Sequence, residues 1–217
     1  MIRLMIMDLD GTCVNTLESL AYSTNNVLKQ LGLKEQPLDN FRLYCGDGYV
    51  KQVKRALRDA GDPGLSNLDE ALEMYKREFR KGCTYHVKSY PELTETLEDL
   101  RDYGLQFAIC TNKPQENAEA VIHKVYGRNM FDYILGDGAG FPRKPDPESC
   151  LFIAEHLGVT PEQCIYVGDS NTDMKTGLAA GMYTIGVTWG FRGRAELEAC
   201  GPDKIIDHPR ELLDIEI

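Results

Sequence analysis

Only four histidines occur in the 217 residues, and His86, His123, His156 and His208 are spread along the chain with no H-x-x-x-H pair and no His/Cys cluster. A zinc site therefore has no ligand set to draw on. Paired-thiol spacing is missing too. The seven cysteines are odd in number, scattered and without a C-x-x-C, as expected of thiols in a reducing compartment. Several, such as Cys110 and Cys164, fall at apolar strand positions. Positive charge is in deficit, with 24 basic residues against 34 acidic and a formal charge of −10. That balance argues against a nucleic-acid surface, so an anionic partner has to be drawn in by a local cluster such as Lys113, Arg143 and Lys144. No run approaches the ~18 apolar residues of a membrane span, and no charged-then-apolar leader precedes the first apolar stretch, so no membrane and a cytoplasmic address are expected. Trp189, the single tryptophan, stands in a strand-end loop where packing would account for it.

What is present is acid at the ends of short apolar segments. Leu4-Met5-Ile6-Met7 runs directly into Asp8-Leu9-Asp10-Gly11-Thr12. On a strand, side chains i and i+2 point the same way, which predicts Asp8 and Asp10 on one face with Leu9 turned into the core. Two close carboxylates repel unless a cation or a proton neutralises one of them, and a hard oxygen-liganded ion such as Mg2+ is the natural candidate. Thr12 adds a hydroxyl able to hold a neighbouring carboxyl group. The same acids could also serve only as a strand end and a cap, and the pentapeptide leaves both readings open.

Three later segments add to the pattern. Phe107 to Cys110 is apolar and ends in Thr111-Asn112-Lys113-Pro114, where a hydroxyl and an amide could meet phosphate-type oxygens or simply cap the helix expected over 115–126. Arg143-Lys144-Pro145-Asp146-Pro147 holds a lysine between rigid residues, either as a counterion for clustered acids and phosphate or as an ordinary surface charge. Cys164 to Gly168 ends in Asp169-Ser170-Asn171-Thr172-Asp173, which predicts Asp173 lying over Asp169 on a first helical turn. From 90 onward helices and strands alternate: helix 92–103, strand 105–110, helix 115–126, strand 132–136, helix 147–157, strand 164–168, helix 171–181 and strand 183–187. That alternation predicts an α/β fold with a doubly wound parallel sheet, and in such sheets ligands bind at the carboxyl ends of the strands. Residues 16–82 instead carry helix spacing without a convincing strand. The first helix is read as opened by Asn15 with Glu18 and closed by Gly32, the second as 48–60 and the third as running from Leu68 to near Gly82.

DLDGT, Thr-Asn, Lys-Pro and GDSNTD, in that order, resemble the haloacid dehalogenase superfamily over essentially the whole chain. The resemblance implies a catalytic α/β core at 1–14 and 84–217 and a small all-helical cap at 15–83. It implies a Mg2+-dependent phosphatase rather than a dehalogenase, because Asp10 supplies a proton donor two residues after the nucleophile. Asp8 would attack phosphorus to give an aspartyl phosphate, and Asp10 would act as acid and then base. Mg2+ would be held by Asp8, the Asp10 carbonyl and Asp169, with Asp173 in support. Thr12 belongs to the phosphatase pattern, and Thr111, Asn112 and Lys144 would hold the phosphoryl oxygens. The loop around Gly46 and Gly48 and the loop ending in Arg192 are similar to those of phosphoglycolate phosphatases, which makes 2-phosphoglycolate the expected substrate. A broad small-metabolite phosphatase or a pyrophosphatase of the same superfamily is the alternative. A receiver-type signalling domain, which also gathers acids, a hydroxyl and a lysine around Mg2+, is the reading from another class.

Overall fold

The structure is a computed structural model and describes residues 1–215. In chain order it comprises β1 (Leu4–Met7), β2 (Val14–Asn15), α1 (Leu17–Gln30), α2 (Phe41–Tyr44), α3 (Tyr49–Asp59), α4 (Leu68–Gly82) and β3 (Lys88–Ser89). There follow α5 (Leu93–Asp102), β4 (Gln106–Pro114), α6 (Gln115–Tyr126), β5 (Tyr133–Asp137), α7 (Glu148–His156), β6 (Cys164–Gly168), α8 (Asn171–Ala179), β7 (Tyr183–Val187), α9 (Arg194–Glu198) and β8 (Lys204–Ile206). Six strands form one sheet in the order β5-β4-β1-β6-β7-β8, with every neighbouring pair parallel. All four residues of β1 are buried, as an unbroken apolar run requires when a strand has a neighbour on each side and cover on both faces. The chain builds outward from β1 through β4 to β5, then returns to the other side of β1 for β6, β7 and β8. The strand order therefore reverses at β1, which places a crevice at the carboxyl ends of β1, β4 and β6.

Strand β4 extends beyond its expected end because of a bulge. Cys110 pairs with Leu135 and Pro114 with Asp137, so β4 advances four residues while β5 advances two. Thr111, Asn112 and Lys113 stand against the single residue Gly136, a surplus of two that takes this segment out of the regular ladder. Strands β2, β3 and β8 are two or three residues long, too short for alternation to announce them.

The chain divides into two compact units, 1–15 with 89–217 and 16–88. The return boundary thus lies five residues beyond the expected 83/84. Residues after α4 stay with the helical unit because Tyr85 stacks on Tyr22 at 4.3 Å and His86 Nδ1 lies 2.7 Å from Glu18 Oε2. That contact also removes Glu18 from the expected capping box: α1 starts after Thr16 with no side-chain cap, and Asn15 belongs to β2. Within the helical unit, α1 buries Leu17, Leu20, Ala21, Val27 and Leu28, and α4 buries Ala71, Tyr75 and Phe79. Gln52 of α3 donates to Thr24 Oγ1 at 2.9 Å and to Tyr75 Oη at 3.2 Å, which satisfies its buried amide. Among the described residues no helix is long and apolar enough to cross a membrane, and all seven cysteines are free thiols.

Candidate active site

Strand alternation predicts Asp8 and Asp10 on one strand face, but β1 ends at Met7. Asp8 keeps one ladder bond, from its N–H to Val167 O at 2.9 Å. Asp10 lies in the turn that follows, closed by Gly11 N to Val14 O and Val14 N to Leu9 O, both 3.0 Å. The acids are brought together by this turn rather than by the pleat. Each meets its own lysine. Lys144 Nζ donates to Asp8 Oδ1 at 2.8 Å, to Asp173 Oδ1 at 2.7 Å and to Tyr166 Oη at 3.1 Å. Lys113 Nζ donates to Asp10 Oδ1 at 2.6 Å.

Asp169 and Asp173 flank the start of α8. Gly168 ends β6, and a Cβ there would fall inside the Asp173 side chain, so only glycine lets the helical turn settle over the strand end. Ser170 and Asp173 form a capping box: Ser170 N and Oγ donate to Asp173 Oδ2 at 3.1 and 2.6 Å. With Lys144 on its other oxygen, Asp173 has a protein donor on each carboxylate oxygen. Asp169 is fixed by the Thr12 hydroxyl, which donates to Oδ1 at 3.2 Å, and by Phe191 N–H, which donates to Oδ2 at 2.7 Å.

These contacts set the electrostatics. Burial pushes the Asp8 carboxyl up to about 7 against the pull of Lys144, and the charges of Asp173 and Asp10 add to the rise. Burial, followed by the charges of Asp173 and Asp8, holds Asp169 well above the usual carboxylate range. Burial works against the Lys144 charge, yet Asp173 and Asp8 outweigh it and keep the ammonium well above its ordinary value. Four carboxylates (Asp8, Asp10, Asp169, Asp173) thus share two ammonium groups (Lys113, Lys144). Fully ionised, the group is two charges short of neutral. One carboxylate oxygen from each of Asp8, Asp169 and Asp173 lies within 4.8 Å of the others. A hard dication liganded by oxygen fits that donor set and that charge deficit.

Thr111 and Asn112 sit on the bulged end of β4. The Asn112 side chain is held against the Lys144 backbone. Its Nδ2 donates to Lys144 O at 3.2 Å and its Oδ1 accepts from Lys144 N at 2.9 Å. Asn112 therefore braces the backbone that delivers Lys144. Thr111 Oγ1 accepts from Lys113 N at 3.3 Å. Gly46 and Gly48 lie in the helical unit, in a loop gripped by Arg55, which donates to Tyr44 O at 2.9 Å and Asp47 Oδ2 at 2.5 Å. Arg192 lies in the loop after β7 with its Nε 3.7 Å from Glu196 Oε1.

Two groups at this site escape a reading of the sequence by motif. Tyr166 looks like an apolar strand residue, yet its fully buried hydroxyl joins Lys144 to Asp173, donating to Asp173 Oδ1 at 3.4 Å. The phenol of Tyr126 donates to Cys13 O at 2.7 Å and meets Ser89 Oγ at 2.9 Å, a contact across 113 positions of sequence. Lys113 is legible as positive charge two residues beyond Thr111, but its partner Asp10 is not.

The divided set of acids and lysines stands at the carboxyl ends of a doubly wound sheet, and the chain matches the sequence model of the haloacid dehalogenase-like hydrolases over residues 5–187. It belongs to that family and is a hydrolase. Among its relatives, the phosphoglycolate phosphatase of Pseudomonas putida is 33% identical over 214 residues, 97% of this chain and 78% of the relative. That of Aquifex aeolicus is 30% identical over 213 residues, 98% of this chain and 96% of the relative. The solved structure of a predicted phosphoglycolate phosphatase from Haemophilus somnus superposes with a TM-score of 0.89 at 28% identity, covering 98% of this chain and 97% of that one. The family match sets aside the receiver-type alternative.

Proposed function

We propose that this family member, a phosphatase, hydrolyses a small phosphomonoester, with 2-phosphoglycolate as its substrate. The observation that carries the reading is the desolvated Asp8 carboxyl at the end of the central strand, held by Lys144 and followed two residues later by Asp10 on a lysine of its own. The names of the relatives support the substrate. Asp8 attacks phosphorus, forming an Asp8 O–P bond as the ester P–O bond breaks, and Asp10 gives a proton to the departing alkoxide. In the second half Asp10 takes a proton from the water that attacks the aspartyl phosphate, which releases inorganic phosphate and restores Asp8. Lys144 and the Thr111 hydroxyl hold phosphoryl oxygens as charge shifts among them. When bound by Asp8, Asp169 and the Asp10 carbonyl, Mg2+ neutralises charge on the phosphoryl group and on the acids around it. Residues 16–88 serve as a cap, with the Gly46 to Gly48 loop and Arg192 contributing to the choice of leaving group.

The test is phosphate release with and without Mg2+, compared as kcat/KM over 2-phosphoglycolate, pyrophosphate, sugar phosphates, nucleotides and an aryl phosphate. A preference for 2-phosphoglycolate of about 100-fold or more is expected, since a site built to pair a substrate's polar group strongly rejects analogues lacking it. Even, slow turnover of many esters would instead establish a broad small-metabolite phosphatase.

A further inference from the structure

The tripeptide Trp189-Gly190-Phe191, in the loop after β7, touches both halves of the acid cluster. Trp189 Nε1 donates to Thr12 O at 3.1 Å. Thr12 Oγ1 donates to Asp169 Oδ1 at 3.2 Å, and Phe191 N–H closes the circuit on Asp169 Oδ2 at 2.7 Å. Gly190 lies between the two: a Cβ built on it would fall 2.5 Å from Gly11 O and against the Asp169 carboxylate. One short loop therefore grips the turn after Asp8 through its Thr12 carbonyl and grips Asp169 through the backbone, with no side chain between. The turn and Asp169 are 157 residues apart in sequence, and they come from different strands with no covalent reason to hold a fixed spacing. Thr12 is fully buried, so its carbonyl needs a partner from the fold, and the Trp189 indole supplies it.

We propose that this loop is the positioning element of the cation site: Trp189 and Phe191 set the separation between the Asp8 turn and Asp169, and Gly190 allows that separation to be short. Trp189 is a positioning residue that acts through Thr12 and Asp169 and contacts neither cation nor substrate. The proposal rests on the reading of Asp8 and Asp169 as holders of Mg2+. Groups that orient metal ligands from behind are commonly worth about 10-fold or more in metal affinity.

MgCl2 titrated calorimetrically into the purified protein reads that affinity without reference to turnover. Trp189→Phe keeps an aromatic ring, smaller by the fused pyrrole, and removes the donor. It is expected to raise the Mg2+ dissociation constant about 10-fold, with KM for the substrate at saturating Mg2+ within about 2-fold of wild type and a metal-free melting temperature lowered by the unpaired Thr12 carbonyl but still a cooperative transition. Gly190→Ala is expected to weaken Mg2+ by more, and if that chain fails to fold, Trp189→Phe still decides the question. Trp189, as the single tryptophan, should also shift its emission on Mg2+ addition. Asp169→Asn is the control. Loss of Mg2+ binding in Asp169→Asn with wild-type affinity in Trp189→Phe overturns the positioning role and leaves the cation reading intact. Wild-type protein that takes up no Mg2+ overturns both.

Discussion

Asp8→Asn is expected to lose turnover by on the order of 10^4-fold or more while keeping its fold, because an amide cannot form the acyl phosphate of the proposed reaction. Phosphate release under saturating Mg2+ checks this, and near-normal activity would remove Asp8 as the nucleophile. The same variant has a second signature. Burial holds the Asp8 carboxyl up at about 7, above its unfolded value near 4. Between those values the folded chain binds more protons than the unfolded one, so in chelator-treated protein this group's contribution to stability falls as pH rises from about 4 through about 7. Above that range the full cost of the buried charge is present, on the order of a few kcal/mol. Asp8→Asn should therefore show a flatter decline in melting temperature between pH 5 and pH 8 than wild type when both are metal-free. Mg2+ should restore wild-type stability most strongly at the upper end of that range.

Lys144→Met carries the other large effect. Its ammonium lies between Asp8 and Asp173 at 2.8 and 2.7 Å, and its side chain is 3% exposed. Removing one partner of a buried ion pair leaves an uncompensated charge, which typically costs about 3–5 kcal/mol. The loss should be greater at pH 8 than at pH 5, since without the ammonium Asp8 is driven further toward its neutral form and pays most when ionised. Urea denaturation of metal-free protein at the two pH values measures it, and equal losses would show that Lys144 contributes packing alone. Activity should fall about 10^2- to 10^3-fold, as for removal of a group that stabilises developing charge. Combining the change with Asp173→Asn should recover much of the stability and none of the turnover, which separates Lys144 the counterion from Lys144 the phosphoryl ligand.

Strand ends and their order along the chain were legible because apolar runs and the acids that close them are local features. Met7-Asp8 and Gly168-Asp169 fall where the runs of β1 and β6 stop. The end of β4 was not legible, because its bulge arises from pairing with β5 and has no signature in β4 alone. Asn112 shows the consequence. Its residue type fits a phosphate donor, and nothing local shows that its amide also exchanges two hydrogen bonds with the Lys144 backbone 32 residues away. Glu18 behaves similarly: its spacing from Asn15 fits a cap, but a histidine 68 residues away takes it.

By itself the sequence determined which chemical groups are available: four acids, a lysine and two hydroxyls at or just beyond the carboxyl ends of apolar strands, a second lysine, Lys144, held between rigid residues before a helix, and a helical segment set between the first strand and the rest. Those follow from periodicity and from residue chemistry, which act over a few residues. Only the tertiary structure decided how the groups are divided, with Lys144 on Asp8 and Asp173, Lys113 on Asp10, and Thr12 and Phe191 on Asp169. It also brought in Tyr166 and the Trp189 loop. Charge pairing in a buried site depends on distances of a few ångströms between strands, and those distances are set by the strand order and the bulge.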